Sequence, residues 1–229
     1  MSTASNALLV VQSIPGLTPA EQQYLLTVTM GEGGWGTGWG NPSAQTIAES
    51  AQFGIDPLAG VGSNNWGADQ EQGDATPPTF PHIDHDKHGK AYVGHFARYT
   101  TPQKSAAKIA AILLKPNVRA AVNAGDMRSA VYAQHANGYF ELNPEEYLKI
   151  VSKNYKILTN SLKWPPLLLQ VPGGDPPPPL PPGSQSSDSG DSSSGRLFTP
   201  QENEKWQKEL EETQTLLDET VGPLDGEKQ

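Results

Sequence analysis

The segment 165–195 most constrains how this chain of 229 residues can fold. It consists mainly of proline, glycine and serine, and it contains no lysine, arginine or aromatic residue. Such a composition cannot bury enough apolar surface to offset the entropy that is lost when a chain becomes ordered. We therefore predict a linker at 165–195, one domain with its own core at 1–164, and a short separate segment at 196–229.

The acidic residues are concentrated in that last segment. Residues 1–164 hold 12 Lys and Arg against 13 Asp and Glu, whereas residues 196–229 hold 4 against 9. The domain is thus nearly neutral, which argues against nucleic-acid binding, because a nucleic-acid binder has a basic face. In the last segment Trp206, Leu210 and Leu217 recur at helical spacing among many glutamates. This pattern predicts an acidic amphipathic helix that docks on a protein partner.

The chain has no cysteine, which excludes disulfide scaffolds, thiol nucleophiles and zinc sites built on sulfur. Its first residues lack a basic region, and the apolar run from Ala7 to Val11 is short. We therefore expect neither a standard signal peptide nor a membrane span.

Helix-start signals recur through residues 1–164. A capping residue precedes a proline at the first helical position at Thr18-Pro19, Thr101-Pro102 and Asn143-Pro144. Gly125 and Gly138 predict the ends of two short helices near 117–124 and 126–137. Residues 33–90 differ, because they are rich in Gly, Asn, Asp and Pro, and a hairpin is predicted between Phe80 and Tyr99 with its turn at 86–89. The predicted fold is mainly α, with a small loop and β-hairpin lobe inserted after the first long helix.

Glu32 is the most informative residue for chemistry. It ends the first long helix, and Leu25 and Val28 precede it by seven and four residues on the face expected to look into the core. Burial disfavours the charged form of a carboxyl group and raises its pKa. A carboxylic acid that stays protonated near neutral pH is the general acid that cleavage of a glycosidic bond requires. A solvated residue at a helix end is the alternative interpretation of Glu32.

Four motifs occur in a fixed order around this acid. They are Glu32-Gly33-Gly34-Trp35-Gly36, Ser63-Asn64-Asn65-Trp66-Gly67, Phe96-Ala97-Arg98-Tyr99, and the stretch from Gly138-Tyr139 to Tyr147. Together they resemble the lysozyme-like glucosaminidases of glycoside hydrolase family 73, the flagellar and autolysin type. The resemblance covers about Thr18 to Leu158 and implies a lysozyme-like α+β fold.

The resemblance also implies an activity and a set of site residues. The activity is an endo-β-N-acetylglucosaminidase that cleaves the glycan backbone of peptidoglycan, with Glu32 as general acid and Tyr147 near the reaction centre. The residues expected to line the substrate cleft are Trp35, Asn64, Asn65, Trp66, Tyr99 and Tyr139. Among these, Trp35 and Trp66 are candidate stacking platforms for sugar rings, and both have core packing as the alternative.

The sequence leaves open which residue provides the second catalytic carboxylate. The chain departs from the family where Gly67-Ala68-Asp69 replaces Gly-Ile-Lys, and the lobe after it has no close counterpart. Asp84 is the first candidate and shares a strand face with Asp86, and the other candidates are Glu71 and Asp74. A retaining enzyme needs carboxyl groups about 5–5.5 Å apart and an inverting one about 6.5–9.5 Å. If no carboxylate is within reach, Glu32 acts alone, as in a lytic transglycosylase.

The same lobe carries a dense set of metal-ligand types in His82-Ile83-Asp84-His85-Asp86-Lys87-His88, with His95 nearby. The spacing matches no zinc motif, and a hairpin points His82 and His85 to opposite faces. We therefore predict no metal and no cofactor, and a solvated polar hairpin over the cleft.

Two further possibilities concern the whole chain. One is a non-catalytic structural or virion component that keeps a lysozyme-like fold for binding only. The other is an enzyme that is also part of a larger assembly, onto which a tethered helix at 196–229 would dock it. Without a signal peptide, transport in a phage particle or release at lysis would bring the chain to the cell wall.

Overall fold

The computed structural model describes residues 3–86, 88–140 and 142–168. Within them the fold is mainly helical with one two-stranded antiparallel sheet, as predicted. The helices are α1 (Thr3–Gln12), α2 (Pro19–Gly33), α3 (Ala44–Phe53), α4 (Pro102–Leu113), α5 (Pro116–Asn123), α6 (Met127–Ala136) and α7 (Pro144–Leu162), and the strands are β1 (Thr79–His85) and β2 (Ala91–Ala97). The predicted helix at 196–229 lies outside the described residues.

The predicted helix starts are confirmed, and α2 shows why. The side chain of Thr18 accepts a hydrogen bond from the backbone N–H of Glu21, while the Glu21 carboxylate accepts one from the N–H of Thr18, at 3.0 Å. Glu21 is buried, and its carboxylate also accepts hydrogen bonds from Arg119 and Asn123 on α5. The capping box that begins α2 therefore also fixes α5 against it.

Helices α1 and α3 were not predicted. The first buries only Ala7 and Val11. The second buries Thr46 and Ser50, while its residue Ile47 is about half exposed. Because the inward face of α3 is polar, the hydrophobic periodicity that normally reveals a helix is missing.

The hairpin lies where it was predicted. Thr79 pairs with Ala97 at the open end of the sheet, and His85 pairs with Ala91 at the turn. The side chain of Asp86 accepts hydrogen bonds from the backbone N–H groups of His88 and Lys90, both at 2.9 Å, and so builds the turn.

The packed chain continues past the predicted start of the linker. Leu168 is 2% exposed and belongs to the main hydrophobic core. Its backbone N–H donates to the hydroxyl of Tyr155, which donates in turn to Gln23, each at 2.9 Å. Residues 165–168 are therefore part of the domain, because they satisfy buried polar groups and fill its core. None of the helices in the described part of the chain is long and apolar enough to cross a membrane.

Candidate active site

The candidate acid lies at the end of α2, where the backbone turns sharply. Gly34, Trp35 and Gly36 have φ values of 53°, 57° and 80°. Tryptophan rarely adopts this left-handed conformation, which costs of the order of 1–2 kcal/mol for a residue with a Cβ. The indole Nε1–H of Trp35 donates to the carbonyl of Leu26 at 3.2 Å and anchors the ring along α2. The turn therefore ends the helix at Gly33, one residue after Glu32, and is held in a strained conformation.

Glu32 is buried, with 4% of its surface exposed. Burial raises the pKa of its carboxyl group from the ordinary 4.5 to about 8, and a hydrogen bond from Tyr147 opposes part of that rise. The Tyr147 hydroxyl donates to Oε1 at 3.0 Å. Oε2 has no hydrogen-bond partner among the residues that the structure describes. Near neutral pH, Glu32 is therefore a protonated acid.

Aromatic side chains form much of the surroundings of this acid. Tyr147 lies in the first turn of α7 and stacks on Phe140, with ring centroids 3.9 Å apart. Burial and the charge of Glu32 raise the pKa of both Tyr147 and Tyr139 well above the usual range, so these phenols stay protonated. The hydroxyl of Tyr139 is buried, with no hydrogen-bond partner in the described part of the chain. The structure thus brings Glu32, Tyr147 and Tyr139 together.

The Ser-Asn-Asn-Trp-Gly motif supports the loop after α3, and most of it is packed inside the protein. Trp66 is 2% exposed and lies in the main core, so its ring offers no face to a sugar. The amide of Asn65 is fully used, because it accepts from the N–H of Asp69 and donates to the carbonyls of Asp69 and Ala97. Tyr99 is also buried, and its hydroxyl donates to the Asp69 carboxylate. Burial gives Trp66, Asn65 and Tyr99 a supporting role in place of the substrate contacts expected of them.

Asn64 and Trp35 keep partly exposed side chains. Asn64 has a φ of 54°, and its side chain donates to the carbonyl of Tyr99 at 2.9 Å. Trp35 packs against the rim of the core. Of the two tryptophans predicted as stacking platforms, only Trp35 retains surface for this role.

The structure places Asp84 in a polar network of the hairpin. Its Oδ2 accepts hydrogen bonds from the Gln70 amide at 2.7 Å and the Tyr92 hydroxyl at 2.9 Å. Its Oδ1 accepts from the backbone N–H of His85 at 2.8 Å. The pKa shift of Glu32 arises from burial and Tyr147, and a neighbouring carboxylate is not among its causes.

The other acidic candidates have structural partners. Asp86 builds the hairpin turn, as described above. Asp74 pairs with Lys104 and Glu71 with Lys108, and all four side chains are substantially exposed. Surface pairs of this kind contribute little to stability, and they leave no reason to place either acid at the reaction centre.

Two histidines of the lobe, His82 and His85, take part in packing and pairing. His82 is buried, with its ring edge-on to Trp39 at a centroid distance of 5.1 Å. His85 Nε2 lies 3.1 Å from a carboxylate oxygen of Glu49 on α3. Within the described residues, no group of three or more metal-ligating side chains is placed to hold an ion.

Asp69 was noted in the sequence only as a departure from the family motif. It is 6% exposed, and its carboxylate accepts hydrogen bonds from the Tyr99 hydroxyl and from the backbone N–H of Glu71. Its charge contributes to the raised pKa of Tyr139, as the charge of Glu32 does. The sequence signal that could have revealed it is an acid at the position where the family that the motifs resemble has a lysine.

Searches against known protein families, curated proteins and solved structures found no match to this chain.

Proposed function

We propose that this protein cleaves the glycan backbone of bacterial peptidoglycan, with Glu32 as the general acid. One observation carries the proposal: Glu32 is buried, has a pKa raised to about 8, and is held through one oxygen by Tyr147. Cleavage of a glycosidic bond needs a group that is protonated at working pH and donates to the leaving oxygen. Oε2, which has no partner among the described residues, is the atom available for that transfer.

The substrate class rests on the motif resemblance. The ordered motifs around Glu32 resemble the glucosaminidases of glycoside hydrolase family 73, so the favoured bond is the one that follows N-acetylglucosamine. Trp35 belongs to the turn that ends α2, and its partly exposed ring supports a role in stacking on a sugar. Tyr139 and Asn64 are proposed to line the same cleft.

A lytic transglycosylase that uses Glu32 alone is the second candidate, and the causes of the raised pKa of Glu32 support it. A carboxylate about 5–5.5 Å from Glu32, as a retaining hydrolase requires, would repel its ionised form and raise its pKa further. The raised pKa has no such cause. We therefore propose as the second reacting group either a more distant carboxylate that activates water or the substrate's own hydroxyl.

The products released from purified peptidoglycan by the full chain and by Glu32→Gln test the proposal. We expect the wild type to release fragments with a reducing N-acetylglucosamine end, and Glu32→Gln to release none while keeping its fold. Glu146→Gln, on the exposed first turn of α7, is the matched control and should act like the wild type. Anhydro-muramic ends would establish the transglycosylase. Equal release by Glu32→Gln would remove Glu32 from the mechanism.

The acidic segment at 196–229 is proposed to dock the enzyme onto a protein assembly, such as a phage particle. The support is its sequence pattern, in which Trp206, Leu210 and Leu217 lie at helical spacing. Deletion of residues 196–229 should leave cleavage of purified walls intact and abolish association with that assembly. A chain that binds an assembly and never cleaves peptidoglycan would instead be a structural component.

A further inference from the structure

We propose that Asp69, and not Asp84, is the second carboxylate of the glycan-cleaving site. The inference rests on the proposed function and names the base that would activate water in that reaction. The loop from Asn64 to Asp69 has a backbone that is held by several hydrogen bonds, and Asp69 ends it.

The backbone of this loop is strained and firmly held. Asn64 and Ala68 have φ values of 54° and 51°, and a residue with a Cβ rarely adopts this conformation. The Asn65 side chain accepts from the Asp69 N–H at 3.0 Å and donates to the Asp69 carbonyl at 2.9 Å. The N–H of Ala97 on β2 donates to the same carbonyl at 2.8 Å. Three hydrogen bonds thus fix the backbone of one acidic residue directly after a left-handed one.

The loop lies against the turn that follows Glu32. A Cβ added to Gly36 would approach the backbone of Asn64 and Asn65 to 3.5 Å, so the two segments are in close contact. The indole of Trp39, in the next turn, donates to the Asn65 carbonyl at 2.9 Å. The segment that ends α2 after Glu32 and the residue that clamps Asp69 are therefore parts of one packed unit.

The Asp69 carboxylate is buried among hydrogen-bond donors, from Tyr99 and the backbone of Glu71. Such donors suit an ionised carboxylate. The charges of both Asp69 and Glu32 raise the pKa of Tyr139, whereas no carboxylate is among the causes that raise the pKa of Glu32. The Tyr139 phenol is thus coupled to the charges of both acids. In an inverting enzyme, the second carboxylate is the base that activates water.

Asp84 lies further along the hairpin. It pairs in register with Tyr92, next to the pair of His85 and Ala91 that closes the sheet at the turn. Both carboxylate oxygens of Asp84 accept hydrogen bonds, as both oxygens of Asp69 do, so the two acids differ in their location and not in their hydrogen bonding. The contacts of Asp84 are thus with the hairpin and Gln70, whereas the loop of Asp69 contacts the turn after Glu32.

The proposed reaction has one step. A water oxygen forms a bond to the anomeric carbon and gives its proton to the Asp69 carboxylate. The bond between the anomeric carbon and the glycosidic oxygen breaks, and that oxygen takes the electron pair and the proton of Glu32. The product has an inverted anomeric centre, and proton exchange with solvent restores Glu32 and Asp69.

The test uses the full chain with Asp69→Asn and Asp84→Asn, and measures the reducing ends released from purified peptidoglycan. We expect Asp69→Asn to lose at least about 100-fold in rate, because acid–base groups contribute about 10²–10⁴-fold, and Asp84→Asn to lose much less. Asp56→Asn makes the same chemical change at an exposed loop position and should keep the wild-type rate.

A second measurement separates a chemical role of Asp69 from a structural one. Added azide can attack the anomeric carbon without a base, so Asp69→Ala should regain activity in azide and release fragments that end in a glycosyl azide. A variant that merely misfolds gains nothing from azide. Tyr99→Phe removes the hydrogen bond to Asp69 while keeping its charge, and should retain far more activity than Asp69→Asn.

The outcomes distinguish this inference from the proposed function. If the wild type cleaves peptidoglycan and Asp69→Asn cleaves it equally fast, Asp69 is not the base, although Glu32 keeps its role. An inactive Asp69→Ala that stays folded and is not rescued by azide also overturns the inference. If the wild type releases nothing from several wall types, the proposed function fails, and this inference fails with it.

Discussion

Replacing Glu32 with glutamine should stabilise the protein at neutral pH while it removes the proposed acid. The folded protein holds the Glu32 proton up to about pH 8, whereas the unfolded chain releases it near the ordinary value of 4.5. The native state therefore binds more protons than the unfolded state between these values, and the free energy of unfolding falls as the pH rises through them. Glutamine carries no proton to release, so the variant avoids this loss.

The magnitude follows from the two pKa values. One pKa unit corresponds to about 1.4 kcal/mol, so the shift from 4.5 to about 8 gives up to ~5 kcal/mol in favour of Glu32→Gln at pH 8 and above. About two thirds of that difference is reached at pH 7, and none of it remains below pH 4. Any change caused by the amide group itself adds a constant offset at all pH values.

Chemical denaturation of the wild type and Glu32→Gln between pH 4 and 8.5 measures this difference. Glu146→Gln is the control, because Glu146 is exposed and its variant should follow the wild type across the range. A difference between wild type and Glu32→Gln that stays flat with pH would show that Glu32 ionises normally in the folded protein. That result would remove the physical basis for its role as an acid.

Three further predictions concern the site and the core. Tyr147→Phe removes the hydrogen bond that lowers the pKa of Glu32, so the alkaline limit of activity should move to higher pH than in the wild type, as a pH–rate profile would measure. Leu168→Ala should destabilise the chain by about 2–4 kcal/mol in urea unfolding, and Leu167→Ala, at an exposed position, by clearly less. Glu21→Ala should cost about 3 kcal/mol in the same assay, because it removes a buried carboxylate that caps α2 and pairs with α5.

The fold was predictable where local chemistry and tertiary packing agree. Proline and a capping side chain mark the start of α2, α4 and α7, and α4 and α7 then carry an apolar stripe. Helix α3 was missed because its buried residues, Thr46 and Ser50, are polar. This helix is held by contacts with a distant part of the chain, because it packs against β1 and its Glu49 pairs with His85.

The site was predictable around Glu32 and much less so beyond it. The position of Glu32 at a helix end, followed by glycines and a tryptophan, indicated a candidate acid, and the ordered motifs around it favoured that interpretation over a solvated residue. The burial of Trp66 and Asn65 was not predictable, because motif letters do not show which side of a loop faces the core. Asp69 was not predicted as a site residue because its placement depends on hydrogen bonds with Asn65 and with Tyr99, which is thirty residues away in the chain.

The most direct test of the central claim is mass spectrometry of the fragments released from purified peptidoglycan by the wild type and Glu32→Gln side by side. The account predicts glycan fragments with newly formed ends from the wild type, and none from a Glu32→Gln protein that is folded and at least as stable as the wild type at pH 7. Fragments released equally by both proteins would contradict the account, and so would the absence of fragments from the wild type on every wall type tested.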